Sequence, residues 1–389
     1  MKTIQINGGS LSLILKNYES DIFENWYAQV AFHLKKQYPK IAVEAWTPER
    51  LYNNEKTKKV RGVKFRIFPT TISIRHSMEI SWEMINALKK EAKIFSKKKE
   101  KLIIHFHEYH SWQVYLILLL IKKSKNIKII AQHHGGRSPF ANLRKYKRLF
   151  LAFPVIGLMQ LAERFLFRKI DLFYPLSNEE IDYLKKVSPG SKIKFQTMGI
   201  SEEYFKKIGR KKARKKLGLN LNKKYVLYLG RIKTTKGIKE LLDAARELKK
   251  DAELLLIGEG VDFEKYKDYA VKNRIKNAKF LGPLYGEKKL LYLSAADCLI
   301  LPSHTEGAPV VLMEALAKNL PVIATNVGGI PKMIKNKKEG IIINPNKKGE
   351  IKKAIKEILL WKPKNLAASA ERYLWKKIIK RTLRDYERI

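Results

Sequence analysis

Short, nearly unbroken apolar runs alternate with amphipathic stretches along the whole chain. In the first half, KTIQINGG or SLSLILK supplies a first strand and IFENWYAQVAFHLKK (22–36) reads as a helix. IAVEAWTP and VKFRIFP alternate like strands, and WEMINALKKEAKIF is a helix. KLIIHFHEYH is a strand with its loop, WQVYLILLLIKK a buried helix and NIKIIAQHHGG another strand. In the second half, YVLYLGRIKTTKGIKELLDAARELKK (225–250) reads as buried strand, tight turn and amphipathic helix, and AELLLIGEG (252–260) and DCLILPS (297–303) as further strands. Strand–helix–strand units repeated in this way predict parallel sheets with right-handed crossovers, one in each half. The apolar pattern stops in TMGISEEYFKKIGRKKARKKLGL (197–219), a charge run without a Gly/Ser linker, which is the expected domain boundary.

The unusual residues gather at the C-terminal ends of the expected strands, where open α/β sheets bind ligands. Arg231 and Lys236 fall in the turn after 225–229, two cations suited to a diphosphate, and Gly258 ends the next strand. After 297–303 comes HTEGAPVVLMEALAKNLPVIATNVGG (304–329), with Glu306 and Glu314 flanking a helix start. Pro309 suits the first helical position, so a helix is expected over 310–319 with Asn319 near its end. The amides of Gly307, Ala308 and the first turn would form an electropositive N-terminus able to hold a phosphate without a metal. Glu314 is the one charged residue in PVVLMEALA, and a carboxylate in that setting needs a polar partner. A ligand hydroxyl would serve, and so would a lysine. Taken singly, Arg231, Lys236 and Glu306 could equally be solvated loop charges.

These segments resemble the C-terminal half of retaining glycosyltransferases of family 4, the group 1 glycosyltransferases. GRIKTTKG (230–237) is similar to the family's Gly-Arg to Lys-Gly diphosphate loop, with Gly230 at its head. SHTEGAPVVLMEALAKNLPVIAT is similar to its two-glutamate motif and TNVGGIPKMIKNKKEGIIINP to the strand-loop-strand that follows. Weaker similarity covers IIAQHHGG, ERFLFRKIDLFYPLSNEEIDYLKK, TMGISEEYF and the closing YLWKKIIKRTLRDYERI. Ala308 stands where the family usually has an aromatic, Asn319 where it has Gly, and Lys332 where it has Glu. The resemblance implies an α/β GT-B fold, two Rossmann-like domains facing each other across a cleft. It implies an N-terminal acceptor-binding domain at 1–203 plus 373–389, because the last helix crosses back, and a C-terminal nucleotide-sugar domain at 204–372. It places His134 at the cleft mouth facing the donor sugar. It implies donor contacts from Gly230, Arg231, Lys236, Gly258, Glu306, Gly307, Ala308, Pro309 and Glu314, with Glu314 on the ribose and Glu306 on the transferred sugar. The expected activity is retaining, metal-independent transfer of a sugar from a nucleoside diphosphate to an acceptor hydroxyl, with Arg231, Lys236, Glu306 and His134 as catalytic residues and no bound cofactor. UDP and GDP are not distinguished.

Composition narrows the partners. At 389 residues the chain exceeds one ordinary core. Its single cysteine, Cys298, lies in an apolar strand and suggests no disulfide, and no N-terminal stretch reads as a signal peptide, so a cytoplasmic protein is expected. A formal net charge of +43 attracts polyanions. The lysines are scattered as pairs with no nucleic-acid-binding signature, so no specific nucleic acid is expected; a nucleic-acid-binding protein is the alternative from another class. A second alternative is a phosphorylase-like GT-B enzyme, which would need lysine-bound pyridoxal phosphate. Basic residues Arg144, Lys145, Lys147 and Arg148 before LFLAFPVIGLMQLA (149–162) point to an anionic membrane face through residues 137–171, hence to a lipid-linked or saccharide acceptor and peripheral association. His105, His107 and His110 invite a metal reading, but no carboxylate-rich set accompanies them beyond Glu108.

Overall fold

The computed structural model describes residues 1–11, 22–73, 78–134, 161–248, 251–344, 347, 349–361, 363 and 365–389. SLSLILK beyond residue 11 and the stretch 137–160 of the basic and apolar segment lie outside the described residues. The chain divides into two compact units, Met1–Gln196 with Ile378–Ile389, and Thr197–Lys377.

The first unit is built on an eight-stranded sheet. Its strands are β1 (Lys2–Asn7), β2 (Ala42–Glu49), β3 (Lys56–Val60), β4 (Val63–Pro69), β7 (Leu102–His107), β8 (Ile127–Gln132), β9 (Leu172–Tyr174) and β10 (Lys192–Ile193). A separate short pair, β5 (Ile72–Ser73) with β6 (Glu79–Ile80), lies between them in sequence. Spatial order is β10-β9-β8-β7-β1-β2-β4-β3, parallel throughout except for the outermost pair β3–β4. The strand β3 is not evident from the apolar pattern. It reads KTKKV, is almost wholly exposed, and its lysines blunt the sheet edge against pairing with another chain. The helix Trp112–Leu120, expected to be buried, leaves Leu119 53% exposed.

The second unit holds β11 (Tyr225–Leu229), β12 (Glu253–Ile257), β13 (Ala278–Phe280), β14 (Cys298–Leu301), β15 (Val322–Thr325) and β16 (Gly340–Ile343), all parallel, in the order β13-β12-β11-β14-β15-β16. Strand order reverses between β11 and β14 here, and between β1 and β7 in the first unit. These two switch points are where open α/β sheets leave a crevice at the strands' C-terminal ends. The charge run 210–216 is not only a linker: the Arg214 guanidinium is buried, donating to Asp297 at 2.7 Å and to the carbonyls of Ala295, Leu221 and Lys223.

The divisions at 196/197 and 377/378 differ from the 203 and 373 expected from sequence. The two crossing segments hold each other. Ile200 bridges Leu374, its amide donates to the Tyr373 carbonyl at 2.8 Å, and a Cβ on Gly199 would lie 2.5 Å from the Trp375 indole. Both segments therefore go with the second unit, and the final helix Trp375–Arg388 joins the first unit only from Ile378 onward.

Candidate functional site

In the second unit, three loops converge at the β11/β14 switch point. The first is 230–237. After the buried strand β11, the Tyr228 hydroxyl donates to the Arg231 carbonyl at 2.7 Å, and the Asp262 carboxylate accepts from the amide and hydroxyl of Thr234 at 2.7 and 2.9 Å. Those bonds from Thr234 hold Asp262 below the usual carboxylate range. Burial, then the nearby Glu306 charge, raises the Tyr228 phenol, so it remains a donor. Gly258 has φ +142°, and a Cβ there would lie 1.9 Å from the Gly230 carbonyl oxygen, so β12 ends against the head of this loop only as glycine.

The second loop, 302–309, carries Glu306. Lys236 Nζ lies 2.6 Å from Glu306 Oε1 and 3.3 Å from the Thr305 carbonyl, and Ser303 Oγ donates to the same Glu306 oxygen at 2.8 Å. Residues separated by seventy positions thus meet as a largely buried ion pair. The third loop follows β15: Thr325 Oγ1 donates to the Ser303 carbonyl at 2.5 Å, and the Gly329 amide to the Gly307 carbonyl at 2.7 Å. Arg231 is exposed, and its side chain does not share in the Lys236–Glu306 pair.

The helix after Glu306 runs Val310–Ala317, shorter than the expected 310–319, and Pro309 is its N-cap rather than its first helical residue. Proline at that position offers no side-chain cap, which leaves the first-turn amides beside Gly307 and Ala308 available to an anion. The helix ends early because Asn319 takes φ +55°, a left-handed conformation that asparagine tolerates where glycine is more usual, and its Oδ1 accepts from the Ala367 amide at 3.0 Å. Glu314 is 5% exposed. Its partner here is the lysine of the plainer reading: Lys289 Nζ lies 2.7 Å from both carboxylate oxygens and 3.1 Å from the Tyr204 hydroxyl. Burial, then Glu314, raises the Tyr204 phenol. The Tyr204 hydroxyl also bonds to Glu314, and the carboxylate still keeps a lone pair to which a ligand hydroxyl can bond with Lys289 in place.

His134 belongs to the first unit, just past β8. Its backbone amide donates to Glu108 Oε1 at 2.8 Å, its ring stacks on Trp26 and its Nε2 lies 2.7 Å from His107 Nδ1. Burial holds His134 well below the ordinary imidazole range. Gly8, at the end of β1, acquires a role that the sequence did not reveal: a Cβ would lie 2.5 Å from the Glu108 carbonyl, so glycine lets the loops after β1 and β7 close on each other. His105 and His107 share one face of β7, with ring centroids 4.4 Å apart, but His110 turns away to Glu163. Among the described residues no three His, Cys, Asp or Glu side chains gather as a metal set.

Sequence reasoning missed Ser303, Asp262, Tyr228, Tyr204 and Lys289. Ser303 stands three residues ahead of Glu306 and was within reach. Lys289 was not, being one of 80 basic residues with no local motif.

Residues 209–374 match the family model described as glycosyl transferases group 1. The putative teichuronic acid biosynthesis glycosyltransferase TuaC of Bacillus subtilis is 33% identical over 159 residues, covering 40% of this chain and 38% of that protein. The chain spans about two fifths of the length of the curated relatives it matches. Among solved structures, sucrose-phosphate synthase from Thermosynechococcus elongatus superposes with a TM-score of 0.71 at 20% identity, covering 100% of this chain and 99% of that one. HepE of Anabaena, solved in complex with UDP, gives a TM-score of 0.65 at 14% identity with both chains covered in full. The expected GT-B fold class is therefore shared with solved glycosyltransferases.

Proposed function

We propose that the protein is a retaining, metal-independent glycosyltransferase acting on a nucleoside diphosphate sugar, a reading supported by the match of residues 209–374 to the group 1 glycosyl transferases. The observation that carries this reading is the Lys236–Glu306 contact at the β11/β14 switch point, beside a helix N-terminus that no side chain caps. Lys236, Arg231 and the amides near Gly307 and Ala308 would stabilise the negative charge that grows on the departing diphosphate. Glu306 would bond hydroxyls of the transferred sugar, Glu314 those of the ribose, and His134 a sugar hydroxyl or the charge at the anomeric carbon. The bond from the anomeric carbon to the phosphate oxygen breaks while the acceptor oxygen attacks the same face, and the leaving phosphate oxygen takes the acceptor's proton. Gly230 and Gly258 shape the floor by close backbone approach, and Pro309 keeps the helix start open.

Donor binding tests the reading directly. UDP, the first nucleotide to try, should stabilise the protein by about 2.7 kcal/mol at one hundred times its dissociation constant. Glu314→Gln keeps an acceptor toward Lys289 but loses the charge, and should weaken UDP binding by about 1.5–3 kcal/mol in calorimetry. Unchanged nucleotide affinity would make that carboxylate purely structural. No stabilisation by any nucleoside diphosphate or its sugars would end the donor proposal.

For the acceptor we favour a lipid-linked substrate met at an anionic membrane face. Among the described residues, Leu161 and Phe165 are 63% and 61% exposed, with Arg164 and Arg168 exposed on the same helical stretch 161–167 and its end. Exposed apolar side chains beside arginines suit the headgroup boundary, with about 1 kcal/mol gained per cation near anionic lipid. No helix among the described residues is long and apolar enough to cross a membrane. Cosedimentation with anionic liposomes should weaken with salt and be lost when Arg144, Lys145, Lys147 and Arg148 become Ser. Equal recovery in the supernatant with and without anionic vesicles at low salt points instead to a soluble saccharide acceptor.

A further inference from the structure

Beneath His134 the first unit contains a polar column inside its apolar core. Thr3 and Gln5 on β1, His105 and His107 on β7, and Tyr386 on the final helix are all fully buried. Register places Gln5 against His105 and Asn7 against His107, so neighbouring strands bring these side chains together. Polar groups buried to this degree are costly unless hydrogen-bonded, and the bonds running from Gln5 to His134 order the protons along that branch, whereas His105 Nε2 has no hydrogen-bond partner among the described residues.

Gln5 Nε2 donates to Thr3 Oγ1 at 2.8 Å and to the Tyr386 hydroxyl at 3.2 Å, which uses both of its hydrogens. Its carbonyl oxygen therefore faces His107 Nε2 at 2.9 Å, and that ring nitrogen must carry the proton. Burial holds His107 well below the ordinary imidazole range, so the ring is neutral and its Nδ1 is an acceptor. The donor to it, 2.7 Å away, is His134 Nε2. The remaining nitrogen of His134, Nδ1, is then the one without a proton. On the other branch, the Tyr386 hydroxyl accepts from Gln5 and lies 2.7 Å from His105 Nδ1. If the Gln5 amide were turned over, every bond on this path could reverse together, and His134 would present an N–H instead of a lone pair. The orientation of one buried amide thus selects the polarity of the nitrogen at the end of the column.

We propose that Gln5 is a positioning residue that fixes the tautomer of His134, so that His134 meets its ligand as a hydrogen-bond acceptor at Nδ1. The inference deepens the proposed transfer reaction and rests on it for the placement of His134 near the sugar. A lone pair there can accept from a sugar hydroxyl and favours positive charge developing at the anomeric carbon, whereas an N–H would oppose that charge.

The test is nitrogen NMR on protein carrying labelled histidine, with the His134 signals assigned by their loss in His134→Ala. In the unaltered protein His134 should show a protonated Nε2 and a bare Nδ1. Gln5→Met removes the amide and should give mixed tautomers, with turnover falling about tenfold to a hundredfold and little change in donor KM. Gln5→Glu keeps an acceptor toward His107 Nε2 and should restore the single tautomer. Tyr386→Phe, which frees one amide hydrogen, is the second route should Gln5→Met not fold, and it too should mix the tautomers. A proton on Nδ1 in the unaltered protein, or a single unchanged tautomer in both Gln5→Met and Tyr386→Phe, overturns the proposal. Normal turnover in His134→Ala with the tautomer as expected would instead remove His134 from the reaction and leave the assignment of Gln5 standing.

Discussion

Lys236→Ala is expected to lower turnover at saturating donor by about two to three orders of magnitude, the loss typical of removing one preorganised group that meets developing negative charge. Arg231→Ala belongs in the same range, because the two cations share one loop after a buried strand. Lys236 has the further task of holding Glu306: its ammonium lies 2.6 Å from the Glu306 carboxylate, which otherwise keeps the Ser303 hydroxyl. The pair is largely buried, with side chains 16% and 12% exposed, so a thermal melt of each variant separates lost chemistry from lost structure. Loss of Lys236 should therefore lower turnover and also raise the KM for donors whose sugar relies on Glu306, while loss of Arg231 should act chiefly on turnover. Near-normal rates in both folded variants would show that the diphosphate is held elsewhere.

The parallel sheets were legible because buried parallel strands read as unbroken apolar runs, as in YVLYL and ELLLI. The edge strand KTKKV was not, since nothing apolar distinguishes an exposed lysine-rich edge from a loop. The loops of the candidate site were legible where chemistry is local: Glu306, Pro309 and Glu314 sit within one stretch, and Lys236 follows Arg231 by five positions. What joins those loops was hidden. The partnership of Glu314 with Lys289, the Asp262 brace on Thr234 and the ordering of His134 by Gln5 and His107 each depend on side chains brought together by strand order rather than by spacing. The helix end was placed two residues late, at Asn319 and not Ala317, and Pro309 was read one step inside the helix start. Only the backbone angles decide that Pro309 is a cap and that Asn319 turns left-handed.

Gly237→Ala should be strongly destabilising, and comparison with Gly218→Ala shows why. Both glycines adopt left-handed backbone, φ +69° and φ +64°, so both substitutions incur the same conformational cost of about 1–2 kcal/mol. At Gly218 the added Cβ would meet nothing within 4 Å, whereas at Gly237 it would lie 2.0 Å from the Pro302 carbonyl oxygen, at the start of the loop that bears Glu306. Backbone cannot yield as a flexible side chain does, so Gly237→Ala should cost at least about 1–3 kcal/mol more than Gly218→Ala. Any relief would push apart the 230–237 and 302–309 loops and separate Lys236 from Glu306. Chemical denaturation of the two variants side by side reads the first effect, and donor turnover in the folded fraction reads the second. Equal destabilisation of the two would mean that the approach of Gly237 to Pro302 is not what holds the loops together. A Gly218→Ala variant with normal turnover beside a folded but inactive Gly237→Ala would tie activity to that approach.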